Sequence, residues 1–426
     1  MAESSLAAGF AVVDITPPRE EAKSFTIFDP ITLKALVLQQ GSRSVAFLAA
    51  DLFVVDAAFQ DGLRKRLVDC PGLDADWILT GAVHHGTGPT FFSSYVNQPT
   101  EALKQFGREE FYMDRAAECI RQAVERCEPA RVAGGAGEIH GMSYNRRAHD
   151  DDGNLHMVSL TQYPTPPRHL KYGNVNPHVG VLRVESLDES HQVALFNFGC
   201  HALALWDDRG NISGDWPGQA VDLLKKSGID GLFFQGALGN VHPIRQSRQP
   251  ARRIGHGVAG TVLSVFHRLC PRDDVPLERF EKTIELPVAS QPDVAAAKAA
   301  WEQASGKGEG LQRYHYWMAE RYHDVTTTPY RLRGVRLGET LLLHMPGELF
   351  AETGLAIRQA GGTGKNILIL CNACPEYGYV PTAAAHAEGG DEPLFAPLDT
   401  GAEAAIRGAA IELVREAFSG ETVRMG

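Results

Sequence analysis

Two apolar segments of the chain each end in histidine, and a third ends in glutamate. The segment WILTGAVHH ends at His84 and His85, VALFNFGCH ends at His201, and ETLLLHMPGE ends at Glu348. Imidazole and carboxylate groups are the ligands that hydrolytic zinc sites use, and strand ends place such ligands rigidly. The pattern therefore predicts a metal site of the kind found in zinc hydrolases.

The elements that must position these ligands are short apolar strands that alternate with amphipathic helices. The strands are predicted over 10–15, 32–39, 44–50, 77–83, 179–184, 193–200, 231–235, 280–286, 330–337, 340–345 and 366–371. The helices are predicted over 57–69, 109–126, 218–226, 252–269, 292–304, 349–359 and 401–418. Such alternation predicts an α/β fold, a layered sandwich with a mixed, mostly buried β-sheet flanked by helices.

Composition narrows the class of protein. The chain has 426 residues, of which 44% are hydrophobic and 22% charged, as in ordinary globular proteins. A net charge of -11 and the lack of a long basic run argue against a nucleic-acid partner. No apolar stretch is long enough to span a bilayer, and the N-terminus does not resemble a secretory signal. Seven cysteines do not suggest a disulfide framework, so we expect a cytoplasmic protein.

Domain boundaries are not evident, and we expect one catalytic domain over residues 1–426. The polar segment 148–178 lacks periodicity and is predicted to be a loop or lid, and 290–326 to be a helical insertion. The many polar groups of the first segment suggest a small hydrophilic substrate. The aromatic stretch 312–323 suits either an interface or the core. The single CxxC pair, Cys371 and Cys374, is a weak metal signal because structural zinc sites need a second pair.

Short motifs along the chain resemble those of the neutral/alkaline ceramidase family, in that family's order. They are VDITPP, HHGTGP, YNRRA, NFGCH, ISGDWPG, FFQGALGNVHP, MPGE and YGYVPT, and together they cover roughly residues 10–382. The resemblance concerns the catalytic domain only, and we expect no C-terminal immunoglobulin-like domain. It implies one zinc ion per chain, although iron, manganese or nickel would also suit such ligands.

The resemblance assigns the zinc ligands to His84, His201, Glu348 and a tyrosine. The tyrosine is either Tyr377, which we slightly prefer, or Tyr379. The second histidine of the family's loop falls on a glycine here, so His85 either replaces it or packs nearby.

Two further positions that match motifs of the family are candidates for a role in catalysis. Arg146 matches the family's asparagine-arginine motif and is a candidate clamp for a carboxylate or an oxyanion. Together with Tyr377 or Tyr379 it could stabilise the developing oxyanion. The family's essential serine, in a GDVSP turn, is replaced by His242 in GNVHP. His242 could act as a general acid or base, or as an additional metal ligand.

These residues predict a zinc-dependent hydrolase that cleaves an amide or ester bond in a small polar substrate, and not a true ceramidase. One alternative is a metal-dependent lyase or isomerase acting on a sugar or polyol derivative, in which His242 abstracts a proton. Another is a non-catalytic binding protein of the same fold. Oligomeric state is not readable from the sequence.

Overall fold

The computed structural model describes residues 5–20, 22, 25–87, 109–159, 165–205, 211–305, 308–372 and 376–419. Its strands are β1 (Ala7–Asp14), β2 (Thr26–Ile27), β3 (Thr32–Gln40), β4 (Arg43–Ala50), β5 (Ile78–Ala82), β6 (Glu128–Glu138), β7 (Ser143–Asn145), β8 (Arg147–His149), β9 (Leu155–Met157), β10 (Lys171–Tyr172), β11 (His178–Ser186), β12 (Gln192–Phe198), β13 (Asn211–Ile212), β14 (Asp230–Gln235), β15 (Val241–Pro243), β16 (Leu277–Pro287), β17 (Thr327–Leu337), β18 (Thr340–Pro346), β19 (Glu348–Leu349), β20 (Asn366–Asn372) and β21 (Tyr379–Val380).

The helices lie between these strands. They are α1 (Ala57–Leu67), α2 (Glu109–Glu125), α3 (Asp215–Lys226), α4 (Arg248–Phe266), α5 (Val294–Gln303), α6 (Glu309–Tyr322), α7 (Ala351–Gln359), α8 (Ala383–Glu388), α9 (Asp391–Leu394) and α10 (Ala402–Phe418). Among the described residues, no helix has both the length and the apolar character that a membrane crossing needs.

One large mixed sheet organises the molecule. Its described strands run in the order β16-β17-β18-β20-β14-β12-β11-β6-β1-β3-β4-β5, with parallel pairs at β18/β20, β12/β14 and β4/β5 and antiparallel pairs elsewhere. Helices cover its outer faces. The predicted α/β fold with a mixed, mostly buried sheet flanked by helices is therefore confirmed.

Two weak junctions divide this sheet into three parts. Strands β14 and β20 pair at one position only, Gln235 with Cys371, and β1 and β6 pair at two. The three parts turn toward a shared apolar core, where the rings of Phe47 and Phe234 lie 6.3 Å apart edge to face although their strands are not neighbours. Each part thus contributes strands to one interior.

A different helix pair covers the outside of each part. Helix α2, beside α1, packs on β1 and β3, α3 and α4 pack on β14, β11 and β6, and α7 and α10 pack on β20, β16 and β17. The sequence of α2 explains why this helix packs on the sheet, because its buried side chains recur at helical spacing and form one apolar face. They are Tyr112, Met113, Ala116, Ala117, Cys119, Ile120 and Ala123. The helices therefore complete a core on the outer side of each part.

Two segments differ from the sequence-based expectation. Strand β6 was not predicted, because its sequence EPARVAGGAGE is rich in glycine and lacks large apolar side chains. The expected loop over 148–178 contains the end of β8, β9 and β10, which form a small antiparallel sheet, although residues 160–164 lie outside the described residues.

The segment 290–326 holds helices α5 and α6, and α6 packs its aromatic side chains into the core beside α1 and α2. Cys374 is outside the described residues.

Candidate metal centre

Each of the three parts of the sheet ends near the same point, and each delivers one side chain there. His84 follows β5, His201 follows β12 and Glu348 follows β18. Ligand atoms of all three lie within 4.8 Å of one another, and all three side chains are buried. The metal ligands predicted at strand ends are thus brought together by the fold.

His84 is held by a sharp turn directly after β5. Its backbone has a φ of 62°, a left-handed conformation that is uncommon outside glycine. The Nδ1 atom lies 2.7 Å from the carbonyl oxygen of Phe53, and the Phe53 ring stacks on the imidazole with 4.5 Å between centroids. Because a carbonyl oxygen only accepts, Nδ1 carries the proton and the Nε2 lone pair faces the cluster.

His201 is oriented in the same way from the end of β12. Its Nδ1 atom lies 2.9 Å from the carbonyl oxygen of Val241, which leaves Nε2 directed at Glu348 and Tyr379. The backbone after His201 is anchored by the buried carboxylate of Asp215, which accepts from the amides of Ala204 and Leu205. In metal-binding histidines, the ring nitrogen that does not bind the metal usually donates its hydrogen to an acceptor such as a backbone carbonyl oxygen.

Glu348 enters the cluster through a short parallel pairing. Gly347 has a φ of 90°, a backbone conformation that glycine adopts without strain, and β19 then pairs with β21 so that Glu348 lies opposite Tyr379. The motifs MPGE and YGYVPT therefore meet as two adjacent strands.

The donor atoms lie close enough together to bind one metal ion. Glu348 Oε1 lies 3.4 Å from His84 Nε2, and Oε2 lies 3.1 Å from His201 Nε2. Ligands about 2.0–2.1 Å from zinc in a tetrahedral site are about 3.3 Å from each other. Two imidazole lone pairs directed at one carboxylate also need a cation between them. The three residues could therefore hold a metal ion.

The surroundings of the site favour a neutral His84 and an ionised Glu348, which are the forms of these side chains that bind metal. Burial lowers the pKa of His84, so its imidazole stays neutral. Burial alone would raise the pKa of Glu348, but His84 and His201 outweigh it and the pKa is lowered. The carboxylate is therefore ionised at neutral pH.

The structure corrects the preferred tyrosine. Tyr379 is buried, and its hydroxyl lies 3.2 Å from His201 Nε2. The hydroxyl of Tyr377 instead donates to the carbonyl oxygen of Pro329 at 2.7 Å, away from the cluster. The cause is the strand β21, which places Tyr379 directly opposite Glu348. Tyr379, not Tyr377, is the tyrosine at this site.

Arg146 lies beside the cluster but is not a free clamp. Its Nε donates to Glu392 at 2.8 Å, Nη2 donates to the carbonyl oxygen of Gly239 at 3.0 Å, and Nη1 lies 3.0 Å from His242 Nε2. The guanidinium also lies over the Tyr379 ring, 5.0 Å from its centroid. These contacts use three of the five N–H donors of the guanidinium, so the role of Arg146 as a clamp for a carboxylate or an oxyanion stays a prediction.

His242 lies on β15, next to the cluster. Its ring centroid is 5.2 Å from that of His201 and 6.1 Å from that of Tyr144. Burial, and then the charges of Arg146 and His201, lower its pKa well below the ordinary value. The ring is therefore neutral, with Nε2 already occupied by Arg146.

Other predicted or possible site residues lie slightly further out. His85 is buried, and its backbone bridges Ala202, but its ring is not part of the converging group. Asp51 does not contact the ligand histidines through its carboxylate, which pairs with Lys34 at 2.9 Å. Residues 88–108, which follow the HHGT segment, lie outside the described residues.

Sequence reasoning missed Glu392. This buried residue contacts Arg146, which is 246 positions away in the chain. The surrounding sequence GGDEPLF contains no pattern that distinguishes Glu392 from surface carboxylates. Only the tertiary contact identifies it.

The fold and the cluster define an α/β protein with a buried site of two histidines and one glutamate. Comparison with known proteins agrees with this class. No protein-family model matches the chain. The sequence is 26% identical over 252 residues to neutral ceramidase A of Dictyostelium discoideum, in a match that covers 56% of this chain and 32% of that protein.

Solved structures show the same fold. The neutral ceramidase of Pseudomonas aeruginosa matches with a TM-score of 0.70 and 18% identity, over 96% of this chain and 74% of that one. A ceramidase complexed with C2 matches with a TM-score of 0.71 and 16% identity, over 98% of this chain and 76% of that one. The resemblance to neutral ceramidases predicted from the motifs is thus confirmed. The matched region is about a third of the length of the curated relative.

Proposed function

We propose that the protein is a zinc-dependent hydrolase that cleaves an amide or ester bond in a small polar substrate. The observation that carries this proposal is the convergence of His84, His201 and Glu348, whose ligand atoms lie within 4.8 Å of one another, with the Nδ1 atom of each histidine held by a carbonyl oxygen. A bound zinc ion would supply a nucleophilic water at neutral pH and polarise the carbonyl of the scissile bond.

The residues of the chain have separate tasks in this proposal. His84, His201 and Glu348 hold the ion, and Tyr379 is the fourth protein group within reach of it. The fixed Nδ1 contacts keep both imidazoles in the tautomer that binds metal through Nε2. His242 borders the site on the side of His201 and is the candidate for contact with the substrate.

We infer that ceramide is not the substrate. The relatives named above are ceramidases, and the family's serine position is occupied here by His242, whose neutral ring lacks the hydroxyl. The polar segment after β8 is a weaker argument about the substrate, because its charges pair internally: Asp150 with His156 at 2.9 Å and Asp151 with Lys171 at 3.0 Å. Substrate size and polarity therefore need a direct assay.

Elemental analysis tests the metal. We expect about one zinc per chain in the natural protein, and its loss in His201→Ala and Glu348→Gln. His178→Ala is the matched control, because His178 is also buried but lies outside the converging group. Protein without stoichiometric metal, or with equal metal in all four forms, would refute the site.

Hydrolysis is then measured on p-nitrophenyl esters and N-acyl p-nitroanilides of increasing acyl length. We expect turnover that a chelator abolishes and added zinc restores, with short acyl groups preferred. Turnover that survives metal removal would contradict the zinc mechanism. A preference for long acyl chains would contradict the proposed substrate class.

A further inference from the structure

A buried carboxylate connects two consecutive arginines next to the metal centre. Glu392, on α9, is fully buried; its Oε1 accepts from Arg146 Nε at 2.8 Å and its Oε2 accepts from Arg147 Nη1 at 2.8 Å. Arg147 has a second carboxylate partner, Glu388, at 2.9 Å, whereas Glu392 is the only carboxylate recorded against Arg146 among the described residues. Glu392 thus holds the Nε side of the Arg146 guanidinium, while the carbonyl oxygen of Gly239 accepts from Nη2 at 3.0 Å.

The contact between Arg146 and His242 fixes where the histidine proton lies. A guanidinium only donates hydrogen bonds and is not deprotonated in proteins. Since Arg146 Nη1 lies 3.0 Å from His242 Nε2, that nitrogen must be the acceptor and cannot carry a proton. The proton of the neutral ring is then on Nδ1, which has no recorded partner in the described part of the chain.

We propose that Glu392 is a positioning residue that, through Arg146, holds His242 with its proton on Nδ1, so that the ring offers the substrate a hydrogen-bond donor and not a base. This role differs from that of a proton shuttle, which needs a free nitrogen lone pair. A neutral imidazole N–H at a fixed position stabilises negative charge that develops on a substrate oxygen. As a statement about catalysis, the proposal rests on the hydrolase function proposed above.

The surroundings of His242 support a fixed ring. Strand β15 pairs with β7, which places His242 opposite Tyr144, and the rings of Tyr144 and His201 both meet it edge to face. Rotation of the ring by half a turn would direct the Cε1–H group toward the Arg146 guanidinium, and a change of tautomer would direct an N–H toward it. Either change would leave a buried guanidinium N–H without its acceptor, which is unfavourable.

The test measures the tautomer directly. Long-range ¹H–¹⁵N spectra of the zinc-loaded protein labelled at histidine distinguish the two tautomers, and the His242 signals are those that disappear in His242→Asn. We expect the Nδ1–H form in the natural protein. In Glu392→Gln, where an amide replaces one carboxylate oxygen, we expect the signal to shift toward the Nε2–H form or to broaden by exchange.

Glu388→Gln is the matched control. It removes a carboxylate from Arg147 in the same network but does not touch Arg146, so the His242 signal should not change. If Glu392→Gln does not fold, Glu392→Asp, which is shorter by one methylene, provides the same comparison. An Nε2–H tautomer in the natural protein, or an unchanged signal in the folded Glu392 variant, would overturn the positioning role.

Kinetic measurements on variants of His242 distinguish a hydrogen-bond donor from a general base at this position. Asparagine places an N–H close to the position of histidine Nδ1 but cannot relay a proton, whereas alanine does neither. On p-nitrophenyl acetate we expect kcat to fall about 10²-fold in His242→Ala and clearly less in His242→Asn. Equal loss in both variants would contradict the donor role. The spectra need no turnover, so failure of the hydrolase proposal and failure of the positioning proposal remain distinguishable.

Discussion

The indole nitrogen of Trp216 donates a hydrogen bond of 3.0 Å to the backbone carbonyl oxygen of His201. Trp216 is fully buried at the start of α3, and its ring packs against Phe198 and Phe233 in the strands that lead to the site. Next to it, the carboxylate of Asp215 accepts hydrogen bonds from the backbone amides of Ala204 and Leu205. The ISGDWPG motif therefore anchors the backbone of His201, a candidate metal ligand.

Trp216→Phe tests this anchoring. The variant loses the hydrogen bond to His201 and part of the buried ring, so we expect a loss of about 1–3 kcal/mol in the free energy of unfolding. We also expect zinc affinity to fall about tenfold, measured by competition with a chromogenic chelator. Trp301→Phe, on α5, is the control and should keep its zinc affinity. Unchanged affinity in Trp216→Phe would show that the contact only stabilises the fold.

The two tyrosines of the YGYVPT motif provide a second test. Tyr379→Phe removes the hydroxyl beside His201 and Glu348, so we expect zinc affinity to fall by about tenfold or more. Tyr377→Phe removes the hydrogen bond to Pro329 and should cost about 1 kcal/mol of stability with zinc binding intact. Chelator competition and urea unfolding on both variants check this. The reverse pattern would restore Tyr377 as the ligand.

Strand β6 gives a prediction about packing. A Cβ atom added at Gly134 would lie 1.9 Å from Thr340 Oγ1 of β18, across the shared core. We expect Gly134→Ala to destabilise the protein by about 1–3 kcal/mol in urea unfolding. Gly260→Ala is the matched control: Gly260 lies within α4 with no atom near its added Cβ, so the substitution should stabilise by up to about 1 kcal/mol. Equal effects of the two substitutions would contradict the close approach of β6 and β18.

Asp29 makes the stability dependent on pH. Burial raises its pKa from 3.8 to about 6, despite hydrogen bonds from Ser213 and Gly214. The folded state therefore holds this proton more tightly than the unfolded state. Its contribution to stability is complete below about pH 4 and is lost as the pH rises through about 6.

The variant Asp29→Asn, which keeps the shape of the side chain, isolates this contribution. Relative to the variant, the natural protein should lose stability between about pH 4 and pH 6. Urea unfolding at several pH values, in metal-loaded protein throughout, measures the difference. Parallel curves for the two proteins would contradict the assignment.

The local pattern of the sequence determined most of the strands and helices of this protein. Buried strands such as β4 and β12 are continuous apolar runs, and α2 repeats its apolar residues at helical spacing, so each is visible without any tertiary information. The apolar runs of β5 and β12 lead to His84 and His201, which is why those two ligand candidates could be recognised. Strand β6 could not be predicted, because its glycines meet a tertiary requirement, the close approach of Thr340 and α4.

Only the tertiary structure decided which side chains share the site. His84, His201 and Glu348 come from three parts of the sheet that meet only because two weak strand junctions let the parts turn toward one core. The choice of Tyr379 over Tyr377 follows from the pairing of β19 with β21, and the contact of Arg146 with Glu392 joins residues 246 positions apart. Periodicity reports which face of an element is buried, but contacts between distant elements depend on how those faces pack together.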